Sequence, residues 1–232
     1  MATAMRILAI DTSCGACSAS VFDGVSRIAM SRRSEPMAHG HAEALGPMVE
    51  AVVGETEGGF AALGQIAVAV GPGSFTGIRI GLAMARGIGL TLGLPVVGVS
   101  TLVAFAAPLL DEPQPGVIVS AIDAKHGSVY FQAFEATGRP LFNPRIASFR
   151  DAAQAIGGGP ARIAGDGARA LALEAQRGGV ACETFAAAFP DIVAIARVGL
   201  AADPADWQAR PLYVKPPDAK PASGEAIARI EG

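Results

Sequence analysis

The sequence predicts an α/β chain folded as two related lobes, each a mixed sheet flanked by helices. Three observations carry that prediction. Short apolar strand candidates alternate with longer stretches of helical period. Gly 29 and Pro 16 lie scattered between the apolar runs, where they read as turn punctuation rather than disorder. The chain also repeats itself: moving residues 9–23 forward by 112 positions puts Ala9 on Ala121, Ile10 on Ile122, Asp11 on Asp123, Gly15 on Gly127, Phe22 on Phe134 and Asp23 on Glu135. With 232 residues, 51% of them hydrophobic, there is enough chain to bury two cores. The expected division is an N-terminal lobe over 1–108, a smaller lobe over 109–210 and an extended tail over 211–232.

The elements follow in order. Ile7-Leu8-Ala9-Ile10 is a short apolar strand, Asp11 to Gly15 is turn chemistry, and Ser18 to Phe22 resumes a strand. Leu45, Met48, Val49 and Val52 recur at helical spacing, predicting a helix near Ala38–Val53. Ile66 to Val70 is a buried strand. Gly71-Pro72-Gly73-Ser74-Phe75-Thr76-Gly77 opens a helix that runs to about Leu92, and Pro95 to Val99 forms the next strand. Pro113 to Gly116 punctuates the passage to the second lobe. Val117 to Ile122 starts that lobe, and Arg162 to Ala168 reads as strand, tight glycine turn, helix. Ile192 to Ala201 is the last helix. From Pro204 the prolines at 204, 211, 216, 217 and 221 make the tail extended.

Composition excludes several classes. The net charge of −3 and pI near 5.6 give no basic footprint for gripping RNA phosphates unaided. Asp11 interrupts the first apolar run, so it is no signal peptide. Arg79 and Arg86 interrupt the stretch 78–98, which reads as a buried helix feeding a strand, with no membrane role. An odd count of three cysteines fits a reducing cytoplasm.

Five constellations could carry chemistry. The Asp11-Thr12-Ser13 turn could cradle an anion or a metal-bound water, or be a hairpin capping its own backbone. The Gly71–Arg79 loop could hold an anion on unpaired amides or be a capped turn; it has no Lys following a glycine, so it is not a P-loop. Gly77, Gly81, Ala85, Gly89 and Gly93 fall four apart and line one helix face. Glycines at 81, 87 and 89 cost that helix roughly 3 kcal/mol, which only very close packing offsets, against the chain's own sheet or in an intermolecular helix bundle. Met37, Met48 and Met84 suit an adaptable interface. Cys14-Gly15-Ala16-Cys17 is a C-x-x-C without a second pair, in a turn rather than at a helix start. His39, His41 and His126 show no metal-binding spacing.

Six segments resemble the TsaB and TsaD proteins: Met5 to Ser13, His41 to Leu45, Gly71 to Arg79, Gly93 to Ser100, Ile122 to Lys125 and Pro211 to Val214. Gly71 to Ser100 is the most specific of them, and the likeness spans nearly the whole chain. The resemblance implies an actin, hexokinase and Hsp70-like fold. The catalytic relative of that family carries H-x-x-x-H just after its version of Gly93 to Val99; here the stretch is Ser100-Thr101-Leu102-Val103-Ala104-Phe105. Its nucleotide loop corresponds to Gly165-Asp166-Gly167, where Asp166 adds a negative charge. The resemblance therefore implies a scaffold with no catalytic residues, metal or cofactor of its own, with metal and ATP handled by partners. Its implied partners are a TsaD-like catalytic subunit, a TsaE-like ATPase docking on that pair, tRNA only through the complex, and a second copy of itself when alone. The implied reaction of the assembly transfers threonylcarbamoyl to the adenosine beside the anticodon. The implied interface comprises Met37, His41, Leu45, Met48, Gly77, Gly81, Met84, Ala85 and Gly89. A residual nucleotide or anion site would comprise Asp11, Thr12, Ser13, Asp123, Gly165 and Gly167. The competing expectations are a stand-alone ATPase or small kinase of the same fold, which would use Asp123, and a peptidase.

Overall fold

A computed structural model describes residues 5–112 and 114–214. Two five-stranded sheets organise it. The first comprises β1 (Arg6–Asp11), β2 (Ala16–Asp23), β3 (Ile28–Pro36), β4 (Leu63–Gly71) and β5 (Val96–Ser100), in the order β3-β2-β1-β4-β5. The second comprises β6 (Val117–Lys125), β7 (Ser128–Glu135), β8 (Arg145–Ser148), β9 (Ala161–Ala164) and β10 (Cys182–Phe185), in the order β10-β9-β6-β7-β8. Read from β1 and from β6, the two orders are the same. Each begins with an antiparallel hairpin and continues with parallel pairings on the other side of its first strand. The internal repeat in the sequence is thus a repeat of topology.

Helices cover both faces of the first sheet. On one face lie α1 (His41–Gly54) and α2 (Phe75–Leu92), packed on Leu8, Ile10, Val68 and Val70. On the other lies α6 (Ile192–Ala201), packed on Ile7, Ala9, Ala67 and Val97. The alternation along β1 sends odd residues to one core and even residues to the other, so the central strands read as continuous apolar runs. In the second lobe α4 (Phe149–Ile156) and α5 (Ala168–Arg177) pack on Val119, Ala121, Phe131 and Ile163. A short α3 (Thr101–Ala106) joins the lobes and puts Leu102 and Phe105 against Ile118, Ile122 and Phe134.

Three differences from expectation have physical causes. α1 begins at His41 rather than Ala38, because Gly40 takes φ 86, a left-handed conformation that ends helical pairing. α6 belongs by packing to the first lobe, so the boundary at 109–210 does not describe a continuous unit: the chain leaves the first lobe, builds the second and returns. The amide side chain of the buried Gln65 donates to the Gly199 carbonyl at 2.9 Å and ties that return. The tail is a strap as far as Val214; the prolines at 216, 217 and 221 lie outside the described residues. The Gly98 amide donates to the Trp207 carbonyl (2.9 Å) and the Leu212 amide to the Val70 carbonyl (2.8 Å), so the strap covers the outer edge of β5.

Candidate functional site

The turn between β1 and β2 is buried throughout: Asp11, Thr12 and Ser13 are each no more than 1% exposed. Asp11 Oδ1 accepts the Ser13 amide at 2.7 Å, an Asx turn that holds the chain at the end of β1. Its Oδ2 is buried with no partner among the described residues. Burial pushes the Asp11 carboxyl above the usual aspartate range, although the Ser13 bonds and nearby His41 oppose the rise. The Thr12 hydroxyl donates to the Gly77 carbonyl at 2.7 Å, Ser13 Oγ accepts from the Thr101 hydroxyl at 3.0 Å, and the Ser13 carbonyl accepts the Ser74 amide at 2.7 Å. The Gly71–Gly77 loop lies directly on this turn: a Cβ on Gly73 would stand 2.1 Å from the Ser13 carbonyl oxygen and one on Gly77 1.9 Å from that of Thr12. At the start of α2, Ser74 Oγ accepts the Gly77 amide at 3.2 Å and the Ser74 carbonyl accepts the Ile78 amide. The Thr12 hydroxyl and the Ser74, Gly77 and Ile78 amides are therefore engaged within the chain.

The related turn between β6 and β7 is more open. The Asp123 amide donates to Asp166 Oδ1 at 2.8 Å, and the Lys125 ammonium sits 2.9 Å from Asp123 Oδ2. Partial burial pushes against ionisation of Asp123, yet the bonds from the Lys125 side chain and amide hold its carboxyl below the ordinary range. Asp166 goes the other way, raised chiefly by burial. Gly165 and Gly167 seat this loop on β6: a Cβ on Gly165 would fall 2.2 Å from the Ala121 carbonyl oxygen. Asp166 thus occupies the Asp123 amide with a carboxylate oxygen.

No metal donor set accompanies these turns. Among the described residues no three His, Cys, Asp or Glu side chains converge on a point, and the Ser100–Phe105 stretch forms the end of β5 and the packed helix α3. Cys14 and Cys17 are free thiols. Burial pushes Cys14 well above the free thiol and Cys17 up to about 11, conditions that disfavour the thiolate.

The helix pair requires a correction. The small-residue face of α2 packs on the chain's own sheet: a Cβ on Gly81 would be 2.7 Å from Thr12 Oγ1 and one on Gly89 2.4 Å from Val96 Cγ2, while Ala85 is fully buried. His41, Leu45 and Met48 of α1 are buried as well, the last two in the same core. Of the nine residues expected to meet a partner, Gly77, Gly81, Ala85, Gly89, His41, Leu45 and Met48 face inward, and only Met37 and Met84 are partly exposed. The outward face of α2 carries residues that the spacing did not single out. Leu90 is 88% exposed and Phe75 52%. Ala83, Met84, Gly87, Ile88 and Leu92 line an apolar groove of about 630 Å³ with Phe60. Arg79 lies 3.7 Å over the Phe75 ring, and Phe75 stacks at 5.5 Å on Tyr213 at the end of the strap. Arg86 donates to the Ala209 carbonyl from the same helix.

Comparison with known proteins adds to this geometry. The TsaD family, described as tRNA N6-adenosine threonylcarbamoyltransferase, matches residues 35–195. The tRNA threonylcarbamoyladenosine biosynthesis protein TsaB of Escherichia coli is 36% identical over 132 residues, 56% of this chain and 55% of that protein. The match thus spans about half the length of that relative. The structure of YeaZ from Pseudomonas aeruginosa superposes with a TM-score of 0.70 at 26% identity, covering 90% of this chain and 99% of that one. A polyphosphate/ATP-glucomannokinase from Arthrobacter, at 10% identity, TM-score 0.51 and coverage of 85% and 98%, shares the fold alone. The two matched sheets are those of the actin-like ATPase fold. No helix among the described residues is long and apolar enough to cross a membrane.

Proposed function

Because this chain belongs to the TsaD family, we propose that it is a non-catalytic scaffold subunit of a tRNA threonylcarbamoyladenosine-forming assembly, binding a TsaD-like catalytic subunit through the outer faces of α1 and α2. The observation that carries the reading is the outward face of α2. An 18-residue helix presents Phe75, Ala83 and Leu90 to solvent beside an apolar groove lined in part by the half-buried Ile88. The charges around it fit a helix pair of similar build. α1 exposes Glu43 and Glu50, whereas α2 carries Arg79 and Arg86 and no acid. A two-fold arrangement with a chain of the same fold would set the acids of one helix pair against the arginines of the other, in a four-helix bundle.

The interior supports the non-catalytic part of the reading. Thr12, Ser13 and the Asp123 amide spend their hydrogen bonds inside the chain. Metal and nucleotide chemistry then falls to the partners, a TsaD-like subunit and a TsaE-like ATPase, and tRNA is engaged through the complex. A second copy of the chain would compete for the same face.

The test is titration of a TsaD-like subunit with wild type, Ala83→Glu and Leu90→Glu. Both substitutions sit on exposed positions and leave the fold intact. Loss of the heterodimer in both variants is the expected result; undiminished binding would remove the α2 face from the reading. Turnover of ATP by the pure chain that Asp11→Ala abolishes would instead favour the stand-alone ATPase.

A further inference from the structure

The chain passes from the first lobe to the second through α3, a 3-10 turn at Ala107–Leu110 and the residues leading to β6, and it returns between β10 and α6. Such a connection is where a two-lobed protein usually places its hinge, since a few backbone dihedrals there can absorb a change in lobe angle. Here two arginines hold it from opposite sides. Arg162, on β9 of the second lobe and only 6% exposed, donates through Nη1 to the carbonyls of Leu109 (2.9 Å) and Glu112 (2.8 Å). Arg197, on α6 of the first lobe, forms a two-pronged pair with Asp111, Nη1 to Oδ2 and Nη2 to Oδ1 at 2.6 Å each. Leu109 and Glu112 are thus bound to the second lobe through Arg162, and Asp111 between them to the first through Arg197.

Neither contact is explained by local folding alone. Arg162 is a buried cation that meets carbonyls rather than a carboxylate, and its Nη2 has no partner among the described residues. Groups of that kind are costly and specify an arrangement more than they stabilise it. The Arg197–Asp111 pair joins positions 86 residues apart, and its fork geometry fixes direction as well as distance. The two arms differ in accessibility. Arg162 is sealed in, whereas the Arg197 and Asp111 side chains are 38% and 48% exposed. Arg27 and Asp191 are the other charges that act on the pair.

We propose that the Asp111–Arg197 pair is a latch that fixes the angle between the lobes, so that residues 107–112 couple them rigidly instead of acting as a hinge. Arg162 is the permanent anchor of the turn, and Asp111–Arg197 is the part that salt or a competing charge can release. This inference stands apart from the scaffold reading and does not need a partner.

The experiment uses the full chain as wild type, Arg197→Ala and Asp111→Asn, each at 0.05 and 1 M NaCl. Amide exchange of the peptide covering 107–112 and small-angle scattering are read together. The expected result is about tenfold faster exchange in both variants at low salt and a broader interlobe distance distribution, with melting temperatures close to wild type. High salt should bring wild type toward the variants and leave the variants unchanged, a response a merely space-filling role would not give. Equal exchange and equal scattering in all three proteins at low salt would overturn the latch. So would a wild type whose exchange does not respond to salt.

Discussion

Gly81→Leu separates internal packing from partner contact. A Cβ on residue 81 would stand 2.7 Å from Thr12 Oγ1, 3.5 Å from Val68 Cγ2 and 3.8 Å from Ile10 Cγ2. The first contact displaces a hydroxyl whose 2.7 Å bond to the Gly77 carbonyl is buried, and breaking such a bond costs about 1–3 kcal/mol. The rest of the leucine has nowhere to go between α2 and the sheet, and overpacking adds about 1–3 kcal/mol. Leucine is the better helix former by under about 1 kcal/mol, which offsets a small part. The net loss is therefore about 1–5 kcal/mol, up to a large share of the roughly 5–15 kcal/mol that holds a protein together. For a chain of this size it lowers Tm by about 2–20 °C. Thermal melts followed by circular dichroism measure it, alongside affinity for a TsaD-like subunit at a temperature where the variant is folded. A lower Tm with binding retained by the folded fraction is the expected result. A Tm within about 2 °C of wild type together with lost binding would refute it.

Three further outcomes follow from particular contacts. Asp11→Asn should raise Tm at pH 7–8: the folded carboxyl titrates above its unfolded value of 3.8, so wild-type stability falls as pH rises from there through the folded pKa, and the amide removes that loss; an advantage that did not grow with pH over that window would contradict the burial argument. Cys17, with its thiol at about 11, should react with iodoacetamide at neutral pH at least about 100-fold more slowly than a free thiol, as mass spectrometry would show. Arg86→Met should cost about 1.5–3 kcal/mol by releasing the Ala209 carbonyl, with protease cleavage appearing first in 207–213; an unchanged cleavage pattern would mean the strap is held by its β5 contacts alone.

Much of the fold was legible because burial on both faces leaves a plain mark. Ile7 to Ile10 and Ile66 to Val70 read as apolar runs because they are central strands between two layers, and the recurrence of the Asp11 pattern at Asp123 is the recurrence of a whole sheet order. The edge strands β3 and β8 were silent. Ile28 to Pro36 is mostly exposed and carries Arg32, Arg33 and Glu35, so neither alternation nor a run survives in it. The return of α6 to the first lobe was equally hidden, since an apolar helix does not say which sheet it covers. The small-residue face was read correctly as a close-packing face, but its target was left open between sheet and partner. What decides it is the depth of Gly77 and Gly81 against Thr12, a contact 65 residues away in the sequence for the hydroxyl bond. A signal for the outer face was present: α2 is apolar nearly all round, and a helix needs only one such face to meet its own sheet.

The two related turns are tied into the chain by different neighbours. In each lobe the first strand carries an aspartate at or near its end and leads into a hairpin, and in each a backbone amide of that turn is bound by a carboxylate, that of Asp11 itself or of Asp166. Around Asp11 the neighbour is the loop before α2, whose glycines allow the Ser13 and Thr12 carbonyls to sit against it. Around Asp123 it is Asp166. The consequence reaches the outer surface. Because the loop from Gly71 to Gly77 is pinned on the first turn, α2 starts from a fixed point. Because its small residues let it sink onto the sheet, its large ones, Phe75, Ile88 and Leu90, are left pointing outward or half-covered. Close packing inside and an apolar face outside are thus two sides of one helix.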